Sequence, residues 1–145
     1  MKRIIALLTC LLLTSFAVQA SDDKPIDFSQ LPKQSQQFIK TYFPGYSVAL
    51  VKTERDFFDK SYEVIFTNGN KIDFDRSGRW KEVDCTYSQL PEEIIPLEIR
   101  NYAAKHFPNI KINQIEKERR SYEISLANDI ELTFDLKFNI IDIDR

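Results

Sequence analysis

The sequence predicts an α+β fold of two tandem α-β-β-β-β repeats, each a helix packed on a four-stranded antiparallel sheet. Three observations carry that expectation. The first is internal repetition, the most informative feature to look for in a new chain. "SYEVIFTNGNKIDFDRSGRWKEVD" (residues 61–84) lies over "SYEISLANDIELTFDLKFNIIDID" (121–144) at an offset of 60, and upstream the register is 64, matching Phe43-Pro44 to Phe107-Pro108. The second is an apolar stripe at helical spacing ahead of each strand run. The third is period-two alternation along the strands themselves.

The elements follow in order. Residues 1–20, "MKRIIALLTCLLLTSFAVQA", carry Lys2 and Arg3, a short apolar run and a small-x-small ending at Ala20. That is the anatomy of a signal peptide cleaved after Ala20, and its apolar run is too short for a comfortable membrane span. Lipidation at Cys10 is the competing reading, against which stand Thr9 and the very short apolar stretch ahead of it. Repeat 1 then spans 21–86 and repeat 2 spans 87–145.

In repeat 1, Ser29 is the expected N-cap of a helix with Pro32 in its first turn, where the missing N–H costs nothing. Phe38, Ile39, Tyr42 and Phe43 form its apolar stripe, and Pro44-Gly45 end it. Strands are expected at 48–55, 61–67, 71–75 and 80–84. The "DFFDK" loop joins the first pair and Asn68-Gly69 makes a two-residue hairpin between the next. Tyr62, Val64, Phe66, Ile72 and Phe74 fall on one face. Repeat 2 follows with a helix after Pro96, then Tyr122, Ile124, Leu126, Leu132 and Phe134 in the same phase. Such alternation means a sheet with one face packed and the other in water. The change from 64 to 60 leaves four extra residues in repeat 1, around "DFFDK".

Composition narrows the function. Removing residues 1–20 takes away two of 20 basic residues and none of 22 acidic ones, leaving a net charge of −4. An acidic chain argues against nucleic acid and against a polybasic membrane-surface role. Cys85 is the only cysteine beyond residue 20, so no internal disulfide is expected, and a buried, quiet thiol is the expected state. No G-x-S-x-G, P-loop or dinucleotide fingerprint is present, and one histidine with one cysteine cannot build a zinc set. His106, at a helix C-terminus, reads as a surface or structural residue. No enzyme activity and no cofactor are expected.

The candidate site is therefore the water-facing side of the sheet. It carries Glu63, Asp73 and Asp75 in repeat 1 and Glu123, Glu131 and Asp135 in repeat 2. These carboxylates suit a protein or peptide partner of basic character, with charge aiding encounter and selectivity. Phe57 and Phe58 sit in the loop that interrupts the repeat, and loop aromatics are favoured anchors. The stretch "DFDRSGRWKEVD" (73–84) also spells much of a calcium loop through Asp73, Asp75 and Asp84. A calcium- or small-ligand-sensing domain is the rival function. No entering helix fits before Asp73, however, and repeat 2 has Thr133, Lys137 and Phe138 where repeat 1 has Asp73, Ser77 and Gly78. The stretch therefore reads as two strands and a turn, and no metal site is expected.

Taken together, "FPG", "YEV" with Asn-Gly, and "KIDFDRSGRWKEVDC" followed by "PEEIIP" resemble the PepSY-like, beta-lactamase-inhibitor-like proteins exported by Bacteroidetes. The resemblance runs from about Phe28 to the C-terminus. It implies tandem helix-plus-sheet units like those of the beta-lactamase inhibitor protein, whose sheet surface clasps an enzyme. It further implies a periplasmic or secreted, non-enzymatic binding module for a protein or peptide, with restraint of an exported hydrolase as one action open to it.

Overall fold

The structure, a computed structural model, describes residues 22–145; the expected leader, with Cys10 and the cleavage site, lies outside the described residues. Strand β1 (Lys24–Pro25) comes first, followed by a single 3-10 turn at Phe28–Gln30 and helix α1 (Lys33–Tyr42). Four strands follow: β2 (Val48–Arg55), β3 (Lys60–Phe66), β4 (Lys71–Phe74) and β5 (Trp80–Asp84). After a second 3-10 turn, at Glu92–Ile94, come α2 (Leu97–His106), β6 (Ile112–Lys117), β7 (Ser121–Leu126), β8 (Glu131–Asp135) and β9 (Ile140–Asp144).

These strands do not form two four-stranded sheets. They make one nine-stranded antiparallel sheet in the sequential order β1 to β9. The expected pair of separate helix-on-four-strand units is therefore corrected. The joint is β5 against β6, with Glu82 opposite Glu116, Val83 opposite Ile115 and Asp84 opposite Gln114. A strand edge left open by one half is a template for the edge of the other, and pairing them satisfies backbone groups that neither half could satisfy alone.

Because directly opposed residues share a face, the registers define two rows that cross the whole sheet. One row is apolar: Val51, Val64, Ile72, Val83, Ile115, Ile124, Leu132 and Ile143. All but Ile143 are buried. Both helices cover this face. The Phe38 ring meets Phe74 edge-on at 5.8 Å, Phe43 stacks on Phe66 at 5.4 Å, and Tyr102 meets Phe134 edge-on at 5.3 Å. The core is one continuous cluster running under both helices.

Local chemistry sets the details. Helix α1 starts later than expected, with Pro32 as its cap and Ser29 inside the preceding 3-10 turn. Gln36, buried in the first helical turns, holds that entry by donating from Nε2 to the carbonyls of Leu31 (2.8 Å) and Ser29 (3.1 Å). The Asn68-Gly69 hairpin has a three-residue loop, since the Phe66 N–H donates to the Asn70 carbonyl at 2.9 Å. Three more hairpins close identically, at Asp75/Arg79, Leu126/Ile130 and Asp135/Asn139. The third loop residue is left-handed in all four: Gly69 (φ 93°), Gly78 (φ 92°), Asp129 (φ 64°) and Phe138 (φ 65°). A type I turn followed by a left-handed residue matches the right-handed twist of paired strands. The second half keeps this backbone shape with residues that adopt it less readily than glycine.

Cys85 is fully buried just after β5, and burial pushes its thiol up to about 11. Only the thiolate reacts appreciably. A maleimide reagent at pH 7.5 is expected to leave Cys85 unlabelled in the native protein and to label it fully in 6 M guanidinium. Rapid native labelling would show that the thiol is accessible after all.

Candidate functional site: the open face of the sheet

The second row that crosses the sheet lies on the side without helices. It runs Lys52, Glu63, Asp73, Glu82, Glu116, Glu123, Thr133 and Asp142, one residue per strand from β2 to β9. Opposed side chains in such a row have Cβ atoms about 5 Å apart. Five carboxylates, from Glu63 to Glu123, therefore stand on five adjacent strands with nothing between them, and the β5–β6 joint lies in their middle.

The row is compensated at one end only. Lys52 Nζ reaches Glu63 at 2.9 Å, Glu54 at 3.0 Å and Asp23 at 3.1 Å, and Lys71 Nζ approaches Glu63 at 3.7 Å. Glu63 is buried beneath these cations. Among the described residues, Asp73, Glu82, Glu116, Glu123 and Asp142 have no ion pair. Burial and then Glu82, Glu63 and Glu54 push the Asp73 carboxyl up to about 6, against the opposing pull of Lys71. Glu82 is raised by burial and by Glu116, although Gln114 Nε2 donates to its Oε1. Burial and neighbouring carboxylates raise Glu116 and Glu123 as well. Like charges held on a rigid sheet favour the protonated form, and a cationic partner would favour the ionised one.

This arrangement makes stability depend on pH in a defined direction. Asp73 titrates near 6 when folded and near its ordinary 3.8 when unfolded, so between those values the folded chain binds the extra proton. Charge on Asp73 then destabilises the fold fully above about pH 6, and the penalty disappears as pH falls toward 3.8. Glu82, Glu116 and Glu123 act in the same sense. The melting temperature is expected to rise on acidification from pH 7 to about pH 5. Asp73→Asn should gain roughly 1 kcal/mol at pH 7, allowing for solvent screening, and flatten that rise. Thermal melts across pH 4–8 check this; a wild-type melting temperature that falls between pH 7 and 5 would sink it.

The structure distributes the expected site residues in three groups. Glu63, Asp73 and Glu123 share the acidic row, and Glu131 stands in the adjacent row of the same face, between Ser125 and Asp144. Asp75 and Asp135 instead cap the β4–β5 and β8–β9 hairpins. Asp75 Oδ1 accepts from the N–H groups of Ser77 (2.8 Å) and Arg79 (3.0 Å), and its Oδ2 from Arg79 Nε (2.9 Å). Burial would raise this carboxyl, but the Arg79 and Ser77 hydrogen bonds outweigh it and hold it low. Asp135 Oδ1 accepts from the N–H groups of Lys137 and Asn139, and Asn139, first of its partners, holds it low. Phe57 and Phe58 form the two-residue tip of the β2–β3 hairpin, between the mutually bonded Asp56 and Asp59. They are 82% and 98% exposed.

Sequence reasoning missed Glu82, Glu116 and Asp142. Glu82 and Glu116 each alternate with a buried residue, Val83 and Ile115, and Asp142 alternates with isoleucines that stay exposed, but only strand pairing puts the three in the row. The calcium-like spelling is dispersed as well: Asp73 faces the row, Asp75 caps a turn, and Asp84 Oδ1 accepts from Thr86 N–H at 2.9 Å. Among the described residues, no three His, Cys, Asp or Glu side chains are grouped to hold a metal ion. None of the described helices is long and apolar enough to cross a membrane.

Fold and site together define a helix-backed antiparallel sheet protein that presents an acidic, side-chain-rich face. The chain belongs to the PepSY-like family, described as "Putative beta-lactamase-inhibitor-like, PepSY-like", whose profile matches residues 60–142. It is similar to a solved structure from Bacteroides thetaiotaomicron, a "putative calcium-regulated periplasmic protein", at 53% identity and TM-score 0.84, covering 86% of this chain and 98% of that one. A solved structure from Bacteroides vulgatus, described as a "putative periplasmic protein" of the DUF2874 family, is 51% identical, with TM-score 0.85 over 87% of this chain and 99% of the other. A further Bacteroides vulgatus structure, described as a "putative periplasmic protein of unknown function", is 30% identical, with TM-score 0.81 over 85% and 99%. No curated protein matches the chain. These likenesses place the chain in the periplasm.

Proposed function

We propose that this chain is a non-enzymatic periplasmic binding module that docks a basic segment of a protein or peptide on the open face of its sheet. The supporting observation is the run of carboxylates from Asp73 to Glu123, which form no ion pair among the described residues and are raised first by burial and then by one another. A lysine- or arginine-bearing partner would relieve that repulsion, which makes complementary charge selective as well as attractive. Phe57 and Phe58, on the hairpin that carries Lys52 and Glu63, would supply the apolar anchor that a charged face lacks. The inhibitor-like family description favours an exported hydrolase as the partner, restrained by occupation rather than by chemistry.

The test is retention of periplasmic proteins on the immobilised chain, compared with Glu116→Gln/Glu123→Gln and with Phe57→Ala/Phe58→Ala. A specific partner should bind wild type, elute as salt is raised, and be lost from both variants. Retention undiminished in the carboxylate variant would refute the reading. A second reading, calcium sensing, is favoured by the description of the Bacteroides thetaiotaomicron relative as calcium-regulated. Calorimetry and thermal melts in millimolar calcium separate the two: a binding heat with a raised melting temperature supports calcium, and neither is expected for a peptide-docking face.

A further inference from the structure

We infer that the free edge of β9 receives an extended partner segment of alternating apolar and basic residues, which adds a tenth strand to the sheet. The two edges of this sheet are unlike. At the first, residues 24–26 lie against Val51–Thr53 of β2, and that strip contains Pro25, which has no N–H to offer a newcomer. At the other, β9 pairs with β8 alone among the described residues, so its outward N–H and C=O groups have no partner strand. An unpaired edge of this kind is a ready template for strand addition.

The side chains of β9 say what the added strand should carry. Ile143 stands opposite Leu132 and ends the apolar row, yet it is 41% exposed where the rest of that row is buried. Ile141, beside it, is 60% exposed. Asp142, opposite Thr133, ends the acidic row, and Asp144 stands opposite Glu131 on the same open face. A strand laid along β9 therefore meets an uncovered apolar position on the helix side and two aspartates on the open side. Alternating apolar and lysine or arginine residues satisfy both faces at once, because side chains alternate with period two. A second copy of this chain satisfies neither: each antiparallel pairing of two β9 strands over Asp142–Asp144 sets aspartate directly opposite aspartate, which is destabilising.

This inference rests on the reading of the acidic face as the seat of a basic partner, and adds where its backbone lies. The probe is a ten-residue peptide of alternating valine and lysine, compared with a peptide of the same composition in which valines and lysines are segregated. Binding is read by calorimetry at low salt and by amide hydrogen exchange. The alternating peptide should bind at least tenfold more tightly and slow exchange at residues 141–144. Ile143→Lys, an inward-pointing edge charge on an already exposed position, should abolish that preference with little change in melting temperature. If that variant does not fold, Asp142→Asn/Asp144→Asn should weaken binding at least threefold. Equal binding of the two peptides, or binding without protection of β9, overturns the inference. So does protection of β9 without peptide, whether it rises with protein concentration or needs residues 1–20. Failure of the face reading itself looks different: binding of either peptide would then be indifferent to Glu116→Gln.

Discussion

Ile115→Ala is expected to cost about 2–5 kcal/mol and to leave a single unfolding transition. Ile115 is fully buried at the middle of the apolar row, with Val83 on one side and Ile124 on the other. Truncation would open a cavity where the sheet passes from β5 to β6, the strands that join the halves. If each half were stable by itself, the mutation would weaken the second half only, and chemical denaturation would resolve two steps. A shared core predicts one step at lower denaturant with an unchanged slope. Two transitions in the variant, with different midpoints by fluorescence of Trp80 and by far-ultraviolet circular dichroism, would contradict that expectation.

Gly78→Ala should be nearly as damaging, about 2–4 kcal/mol, although it adds only one methyl group. Gly78 has φ 92°, and a Cβ there would lie 2.6 Å from Pro32 Cβ and 2.8 Å from Ser35 Oγ. Both neighbours belong to the start of α1, and the buried Ser35 hydroxyl donates to the Gly78 carbonyl at 3.0 Å. The new methyl group would push the helix off the β4–β5 turn and break that bond, while the backbone is forced into a conformation that suits glycine. Gly45→Ala provides the control. It also has positive φ (82°), but nothing lies within 4 Å of its added Cβ, so it should pay the backbone penalty alone. Denaturant melts that gave the two variants equal losses would remove the packing half of this account.

Much of the fold was legible. The strand segments 48–55 and 80–84 are those expected, because their alternation is strong and their hairpin signals are local. Turn detail was less legible. Asn68-Gly69 looked like a two-residue turn, but the left-handed residue that closes a three-residue loop is also often glycine, and sequence spacing does not separate the two. Phe138 gave no turn signal whatever, since a bulky residue at φ 65° is unfavourable and is held there by its surroundings, including the Tyr122 ring at 5.6 Å. Of the site, the carboxylates of β3, β4 and β7 were found by phase. The same phase puts Asp75 and Asp135 on that face, but each sits where its strand enters a turn and its side chain bonds the loop backbone instead.

By itself, the sequence determined which segments extend, which faces they bury, where the helices lie and that the open face is acidic. Those properties follow from residue order within a dozen positions, through periodicity and turn chemistry. Only the tertiary structure decided that the strands form one sheet, and hence that one acidic row exists at all. The β5–β6 joint is made by backbone hydrogen bonds, which are the same for every residue, between segments some thirty residues apart. Its side chains would argue the other way, since Glu82 faces Glu116. Burial of the Val83–Ile115 pair and the satisfied backbone outweigh that repulsion, which is left standing on the open face.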